Sequence, residues 1–178
     1  MTKRVIRTDQ APAPFQGAPY SQGIAHGGFV FVSGQLGVDP GGSMVEGGIA
    51  EQTEQVMQNL SAILEAAGTS LANVVKATIF LVDLGDFQAM NEVYGRHMGD
   101  DPPARATFQV AALPSGALVE IEVIAAEGLL RPVDAAVNRQ RRVAGLRDPE
   151  RDLLELRRLE AELGHAARVG RLLRVRDA

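Results

Sequence analysis

The stretch PPARATFQVAALPSGALVEIEVIAAEG, residues 102–128, decides the fold because it places one arginine and two glutamates on otherwise apolar strands. Successive side chains of a β-strand point to opposite faces, so Arg105 and Thr107 share one face of the first strand. In the second strand Glu120 and Glu122 lie opposite an alternating apolar face. The pattern predicts two adjacent strands that direct a guanidinium and a carboxylate into one cleft.

The arginine of this stretch has two interpretations. A guanidinium is a planar, permanently charged fork that binds a carboxylate or phosphate through two parallel hydrogen bonds, so Arg105 indicates a site for a small anion. Alternatively, Arg105 is a solvated strand residue paired with Glu120 or Glu122, because cross-strand ion pairs are common and weak. The spacing alone leaves both interpretations open.

The composition narrows the chemistry that the chain can perform. Its 178 residues are 46% hydrophobic with a net charge of −4 and no cysteine, which excludes disulfides, thiolate metal ligands and a cysteine nucleophile. The histidines His26, His97 and His165 lie far apart without ligand spacing, so we expect no metal. Neither a signal-peptide-like apolar run nor about 18 consecutive apolar residues occurs, and we expect a cytoplasmic protein that does not contact a membrane.

Charge and aromatic content change after Gly128. Residues 1–128 contain 6 Lys+Arg, 14 Asp+Glu and every Phe and Tyr, whereas residues 129–178 contain 12 Arg, 8 Asp+Glu and no aromatic residue. We therefore predict one domain at 1–128 and an Arg-rich, partly helical C-terminal extension at 129–178. Leucines in steps of three and four predict a helix over about 149–173 that packs on a partner surface.

Hydrophobic periodicity predicts strands and helices in the order βββαβαββ. The strands are expected near residues 4–7, 21–25, 29–33, 74–82, 104–112 and 118–126. A first helix begins near Ile49 and ends at Gly68. A second helix, capped by Asp86, is expected to bury Phe87, Met90 and Tyr94. This order predicts an α+β fold in which a mixed sheet carries both helices on one face, and the uncovered face favours an oligomer.

Seven segments recur in the same order in the RidA (YjgF) family of reactive intermediate deaminases: PYSQGI, FVSGQLGVDP, EAAG, VVKATIFLVDLGDF, NEVYGRHM, PPARATFQVAALP and VEIEVIA. The chain resembles this family from about residue 4 to 128. The resemblance implies a chorismate-mutase-like fold assembled as a homotrimer, with ligand clefts between neighbouring subunits. It also implies hydrolysis of 2-imino acids, formed from enamines, to 2-oxo acids and ammonia, with no cofactor.

Carried over position by position, the resemblance implies a substrate site formed by Tyr20, Ser33, Asn91, Arg105 and Thr107. Arg105 and Glu120 are then the catalytic residues: the arginine holds the substrate carboxylate and the glutamate orients or deprotonates a water molecule. Thr107 stands where many relatives carry cysteine, so thiol chemistry is not central. From the residues alone, Tyr20 can equally be a packed loop residue, Ser33 a turn residue and Asn91 a helix-surface amide.

Two further functions stay open. A trimer that binds a small 2-oxo or amino acid without turnover needs Arg105 but has no need for a water-directing Glu120. An RNA-binding arm is the other possibility, because the extension contains 12 arginines. Its interspersed acids, its lack of stacking aromatics and the acidic core argue against nucleic acid as a partner.

Overall fold

The computed structural model of the chain describes residues 2–15 and 18–128. The predicted extension, including His165 and the helix expected over 149–173, lies outside the described residues. Within the described part, six strands form one sheet: β1 Arg4–Ile6, β2 Gly23–His26, β3 Phe29–Leu36, β4 Val74–Leu81, β5 Ala104–Gln109 and β6 Val119–Ala126. Helix α1, Ile49–Ala67, lies between β3 and β4, and helix α2, Phe87–Met98, lies between β4 and β5. The predicted order βββαβαββ is confirmed.

Local signals set the two ends of α1. At its start the Glu51 carboxylate accepts a hydrogen bond from the Gly48 N–H at 2.8 Å, which satisfies a backbone donor that the helix itself leaves free. At its end Gly68 adopts a left-handed conformation with φ of 89°. The predicted stop at Gly68 is therefore confirmed.

The sheet has the strand order β1-β2-β3-β6-β4-β5. The last strand, β6, pairs antiparallel with both β3 and β4, while β5 runs parallel to β4 at the edge of the sheet. A parallel pair requires a crossover connection, and α2 supplies it between β4 and β5. The prediction that the strands of Arg105 and Glu120 are adjacent is therefore wrong, because β4 lies between them.

The hydrophobic core lies between the helices and one face of the sheet. Its fully buried members come from both helices and from the central strands, and include Met57, Leu60, Ile63, Ile79, Met90 and Ile121. On the opposite face, called the open face below, Phe29, Phe31 and Phe108 are exposed, and Phe108 stacks on Phe80 with ring centroids 6.4 Å apart. Exposed apolar area of this kind is typical of surfaces that contact another molecule.

In strand β5 the polar side chains face the helices and a large apolar side chain is exposed, which is the reverse of the usual arrangement. Arg105 and Thr107 lie beside the buried residues Ala77 and Ile79 of β4 and therefore face the helices. Phe108, which is 52% exposed, faces the opposite way. The polar residues of this edge strand thus point under α2, and its large apolar residue points outward.

No helix in the described parts of the chain has the length and apolar character needed to cross a membrane.

Candidate active site

Arg105 lies against the side of α2 that carries Phe87, Asn91 and Tyr94. Its Nη1 donates a hydrogen bond to Asn91 Oδ1 at 2.7 Å. The guanidinium carbon lies 5.0 Å from the centre of the Tyr94 ring and 5.6 Å from the centre of the Phe87 ring, within the range of cation–π contacts. We call Arg105, Thr107, Phe87, Asn91 and Tyr94 the arginine cluster.

The charge of Arg105 is not neutralised by a carboxylate of the described residues. Each of the ion pairs that these residues form uses another cation. The interpretation of Arg105 as the cross-strand partner of Glu120 or Glu122 is therefore wrong within one chain, because both glutamates lie on the open face. A partly buried guanidinium that is held by an amide and two rings can still bind an anion.

Two hydroxyl groups of the arginine cluster are buried without a hydrogen-bond partner among the described residues, Thr107 Oγ1 and the Tyr94 hydroxyl. An unsatisfied buried polar group costs about 1–3 kcal/mol, so such groups are rare in folded proteins. These hydroxyl groups lie in the same cluster as a guanidinium that has no carboxylate partner among the described residues, which indicates a polar site rather than ordinary core.

Glu120 lies on β6 beside an irregularity of the neighbouring strand β3. The pairing of β3 with β6 shifts register between Val32 and Gln35, which leaves Ser33 and Gly34 as a bulge. A Cβ atom at Gly34 would overlap the Glu120 carboxylate, so only glycine allows the carboxylate to lie there. The Gln35 side-chain amide donates to the carbonyl oxygens of Ser33 and Gly34, at 3.0 and 3.2 Å, and holds the bulge in place.

The surroundings of Glu120 favour its protonated form. Burial of the carboxyl group raises its pKa above the ordinary glutamate value, and the negative charge of Glu122 raises the pKa further. A carboxylate with a raised pKa is a better proton acceptor near neutral pH than an ordinary glutamate.

Tyr20 and Ser33 lie near the β3 bulge that the Glu120 carboxylate contacts. The Ser33 hydroxyl donates to the Ser21 carbonyl oxygen at 2.7 Å, which fastens the loop before β2. Tyr20 is 44% exposed, and its hydroxyl accepts a hydrogen bond from the Phe15 N–H at 3.2 Å. Tyr20 and Gly34 line one shallow pocket of about 40 Å³. We call Tyr20, Ser33, Gly34 and Glu120 the glutamate cluster.

The structure brings the predicted site residues together in two groups rather than one. Asn91, Arg105 and Thr107 lie in the arginine cluster, and Tyr20, Ser33 and Glu120 lie in the glutamate cluster. Arg105 faces the helices and Glu120 faces the open side, so a single chain does not direct both into one cleft. That prediction failed because alternation along a strand shows which residues share a face, but not which strands are neighbours.

Three residues of these clusters, Phe87, Tyr94 and Gly34, were not predicted for the site. Phe87 was expected in the core but is 40% exposed, whereas Met90 and Tyr94 are buried as predicted. The available signal was helical spacing, since Phe87, Asn91 and Tyr94 follow one another at four and three residues on one side of α2. For Gly34 the signal was a glycine inside a strand pattern, which often marks a bulge or a close approach.

Gly34→Ala tests the close approach of Glu120. We expect the added methyl group to displace the carboxylate and to lower the free energy of unfolding by about 1–3 kcal/mol, measured by thermal or denaturant unfolding. Gly95→Ala is the matched control: a Cβ at Gly95 meets no atom within 4 Å, and alanine in α2 should stabilise by about 1 kcal/mol. An unchanged stability of Gly34→Ala would show that the carboxylate does not pack on this backbone.

The fold and the two clusters define an α+β protein in which no carboxylate of the described residues pairs with the Arg105 guanidinium. A family model described as Endoribonuclease L-PSP matches residues 8–127, and the chain belongs to this family, which is the RidA (YjgF) family. A 2-iminobutanoate/2-iminopropanoate deaminase from Capra hircus is 47% identical over 131 residues, which cover 73% of this chain and 94% of that relative. The resemblance inferred from the sequence segments is thus confirmed.

Solved structures show the same fold. The crystal structure of RidA from the Antarctic bacterium Psychrobacter sp. PAMC 21119 is 48% identical, with a TM-score of 0.66 over 69% of this chain and 98% of that chain. The crystal structure of E. coli TdcF with bound serine is 37% identical, with a TM-score of 0.65 over 70% of this chain and 99% of that chain. The predicted fold class is therefore confirmed for the described domain.

Proposed function

We propose that this chain is an imine deaminase, which hydrolyses reactive 2-imino acids, formed from enamines such as 2-aminoacrylate, to 2-oxo acids and ammonia. The observation that carries the proposal is the Arg105 guanidinium, which Asn91 and two aromatic rings hold without a carboxylate partner from the described residues. The names of the relatives support the same reaction, since the Capra hircus relative is a 2-iminobutanoate/2-iminopropanoate deaminase.

The proposed reaction needs orientation and one proton acceptor. Arg105 binds the substrate carboxylate through two parallel N–H donors and fixes the position of the C=N carbon. The oxygen of a water molecule adds to that carbon while Glu120 accepts the water proton. With a protonated imine as substrate, Glu120 returns the proton to the amino group, and ammonia leaves with the electron pair of the C–N bond. The hydroxyl proton then passes to the Glu120 carboxylate, which leaves the 2-oxo acid.

The working unit in this proposal is a homotrimer with sites between subunits. The two clusters face opposite sides of the sheet, so the arginine cluster of one copy has to meet the glutamate cluster of another. The exposed phenylalanines of the open face supply apolar area for such a contact. The number of three comes from the family resemblance.

A second candidate function is binding of a small carboxylate without turnover. The TdcF structure contains serine, an amino acid whose carboxylate is a suitable partner for a guanidinium. The raised pKa of Glu120 favours the enzyme over this alternative, because a pure carboxylate sensor has no use for a half-buried proton acceptor. We do not propose nucleic acid as a partner, since residues 1–128 carry 6 Lys+Arg against 14 Asp+Glu.

A coupled assay separates the two functions. An amino-acid oxidase with catalase generates 2-iminobutanoate in situ, and formation of 2-oxobutanoate is followed with and without the protein. We expect the protein to accelerate formation of the oxo acid beyond the spontaneous rate. Binding of 2-oxobutanoate, measured by calorimetry, without acceleration would favour the binding function and contradict the deaminase.

Deletion of residues 129–178 tests the predicted domain organisation. We expect the chain truncated after Gly128 to form a folded trimer that hydrolyses 2-iminobutanoate at the rate of the full chain, because every proposed site residue lies before the deletion. Light scattering gives the oligomeric state and the coupled assay gives the rate, with full-length protein measured in parallel. A trimeric but inactive truncated protein would show that the extension contributes to the site.

A further inference from the structure

Tyr94 makes the shortest aromatic contact with Arg105. The guanidinium carbon lies 5.0 Å from the Tyr94 ring centre, compared with 5.6 Å for Phe87. Tyr94 is 4% exposed, whereas Phe87 is 40% exposed. A buried ring loses less of its attraction for a cation to solvent than an exposed ring does, so Tyr94 is the stronger of the two contacts.

The contact with Tyr94 places a neutral ring, rather than a carboxylate, beside the Arg105 guanidinium. A neutral aromatic ring attracts a cation without neutralising its charge, and the guanidinium keeps five N–H donors with which it can bind an anion. Asn91 accepts from Nη1 and no described carboxylate takes another donor. A glutamate in the place of the ring would hold the arginine equally well but would consume donors and neutralise the charge.

The Tyr94 hydroxyl does not form an ion pair with Arg105. Burial raises the pKa of the hydroxyl, and the charge of Arg105 acts in the opposite direction with a smaller effect, so the phenol stays neutral. The hydroxyl has no hydrogen-bond partner among the described residues. Its contribution to Arg105 therefore comes from the ring and not from an ion pair.

We propose that Tyr94 is a positioning residue for anion recognition: its buried ring orients the Arg105 guanidinium without neutralising the charge that binds a carboxylate. The proposed deaminase function supplies only the identity of that carboxylate, a 2-imino or 2-oxo acid.

A series of fluorinated phenylalanines at position 94 of the full chain provides the main test. Each added fluorine weakens the attraction of the ring for a cation and changes its shape only slightly. We expect the Kd for 2-oxobutanoate, measured by calorimetry, to rise with the number of fluorines, by about 3- to 30-fold at full substitution. Tyr94→Phe, which keeps the ring, is the starting point of the series and should bind as tightly as the wild type.

Two further measurements distinguish positioning from simple loss of packing. Tyr94→Leu removes the ring face and is expected to raise the Kd for 2-oxobutanoate, whereas Val93→Ala removes a buried apolar group from the same helix and should leave that Kd unchanged. Nuclear magnetic resonance of the arginine side chains, assigned with Arg105→Lys, needs no ligand. We expect the Arg105 guanidinium resonances to shift and to sharpen through faster rotation in Tyr94→Leu.

The outcomes separate this inference from the proposed function. If the Kd and the Arg105 resonances stay constant across the fluorinated series, Tyr94 does not position the guanidinium, whether or not the protein hydrolyses imines. An equal rise in Kd for Val93→Ala would likewise overturn the inference. If the wild type fails to hydrolyse 2-iminobutanoate while the series behaves as expected, the deaminase proposal fails and the role of Tyr94 stands.

Discussion

Arg105→Lys is expected to abolish most of the hydrolysis of 2-iminobutanoate although the positive charge is kept. Lysine lacks the planar fork that binds a carboxylate through two hydrogen bonds, and it also loses the contact with Asn91 Oδ1. A charged hydrogen bond contributes about 1.5–3 kcal/mol, so kcat/KM should fall by about 10- to 150-fold in the coupled assay.

Arg96→Lys is the matched control, because Arg96 is an exposed residue of α2 whose ion pair with Glu54 is long, at 3.7 Å. It should retain the rate of the wild type. Circular dichroism is expected to show the same fold for both variants. Near-wild-type hydrolysis by Arg105→Lys would contradict the role of the guanidinium as the carboxylate anchor.

Glu120→Gln is expected to bind 2-oxobutanoate as the wild type does but to turn over about 10²- to 10⁴-fold more slowly, the usual contribution of a general base. The amide keeps the size of the side chain beside Gly34 and removes its ability to accept a proton. Glu122→Gln changes the exposed glutamate two residues further along β6 and serves as the control. The assignment of Glu120 to the water molecule is wrong if both variants lose the same activity.

The pH dependence of the same variants follows from the raised pKa of Glu120. A base works only when ionised, so kcat/KM of the wild type should fall as the pH drops through that pKa, which lies above the ordinary glutamate value of 4.5. This acidic limb should be absent in Glu120→Gln. In Glu122→Gln it should move to lower pH, because one of the two causes of the shift is removed.

The sequence predicted helix α1 well because its determinants are local. Apolar residues at helical spacing, among them Leu60 and Leu64, are fully buried, and Gly68 ends the helix through its own backbone conformation. None of these signals depends on which strand lies beneath the helix. The same reasoning explains why the strands and their order along the chain were predicted correctly.

The sheet order was not predictable in this way, and the error affected the site. Pairing of β6 with β3 and β4 joins residues far apart in the chain, and a period of two does not encode its partners. The alternation of polar and apolar residues in β5 also did not show which face is buried, because Arg105 and Thr107 face the helices while Phe108 is exposed. Such a reversal is expected where the outer face of a strand contacts another molecule, which a single sequence does not show.

Arg105 and Glu120 lie on opposite faces of one sheet, so in the proposed function the single chain folds before it can act. In the proposed homotrimer, a newly made chain that has folded completely still lacks a finished site and acquires one only when it meets other copies. Protein concentration then governs activity as directly as substrate concentration does. In such a homotrimer, a substitution on the open face that prevents assembly would abolish activity without disturbing the fold of the single chain.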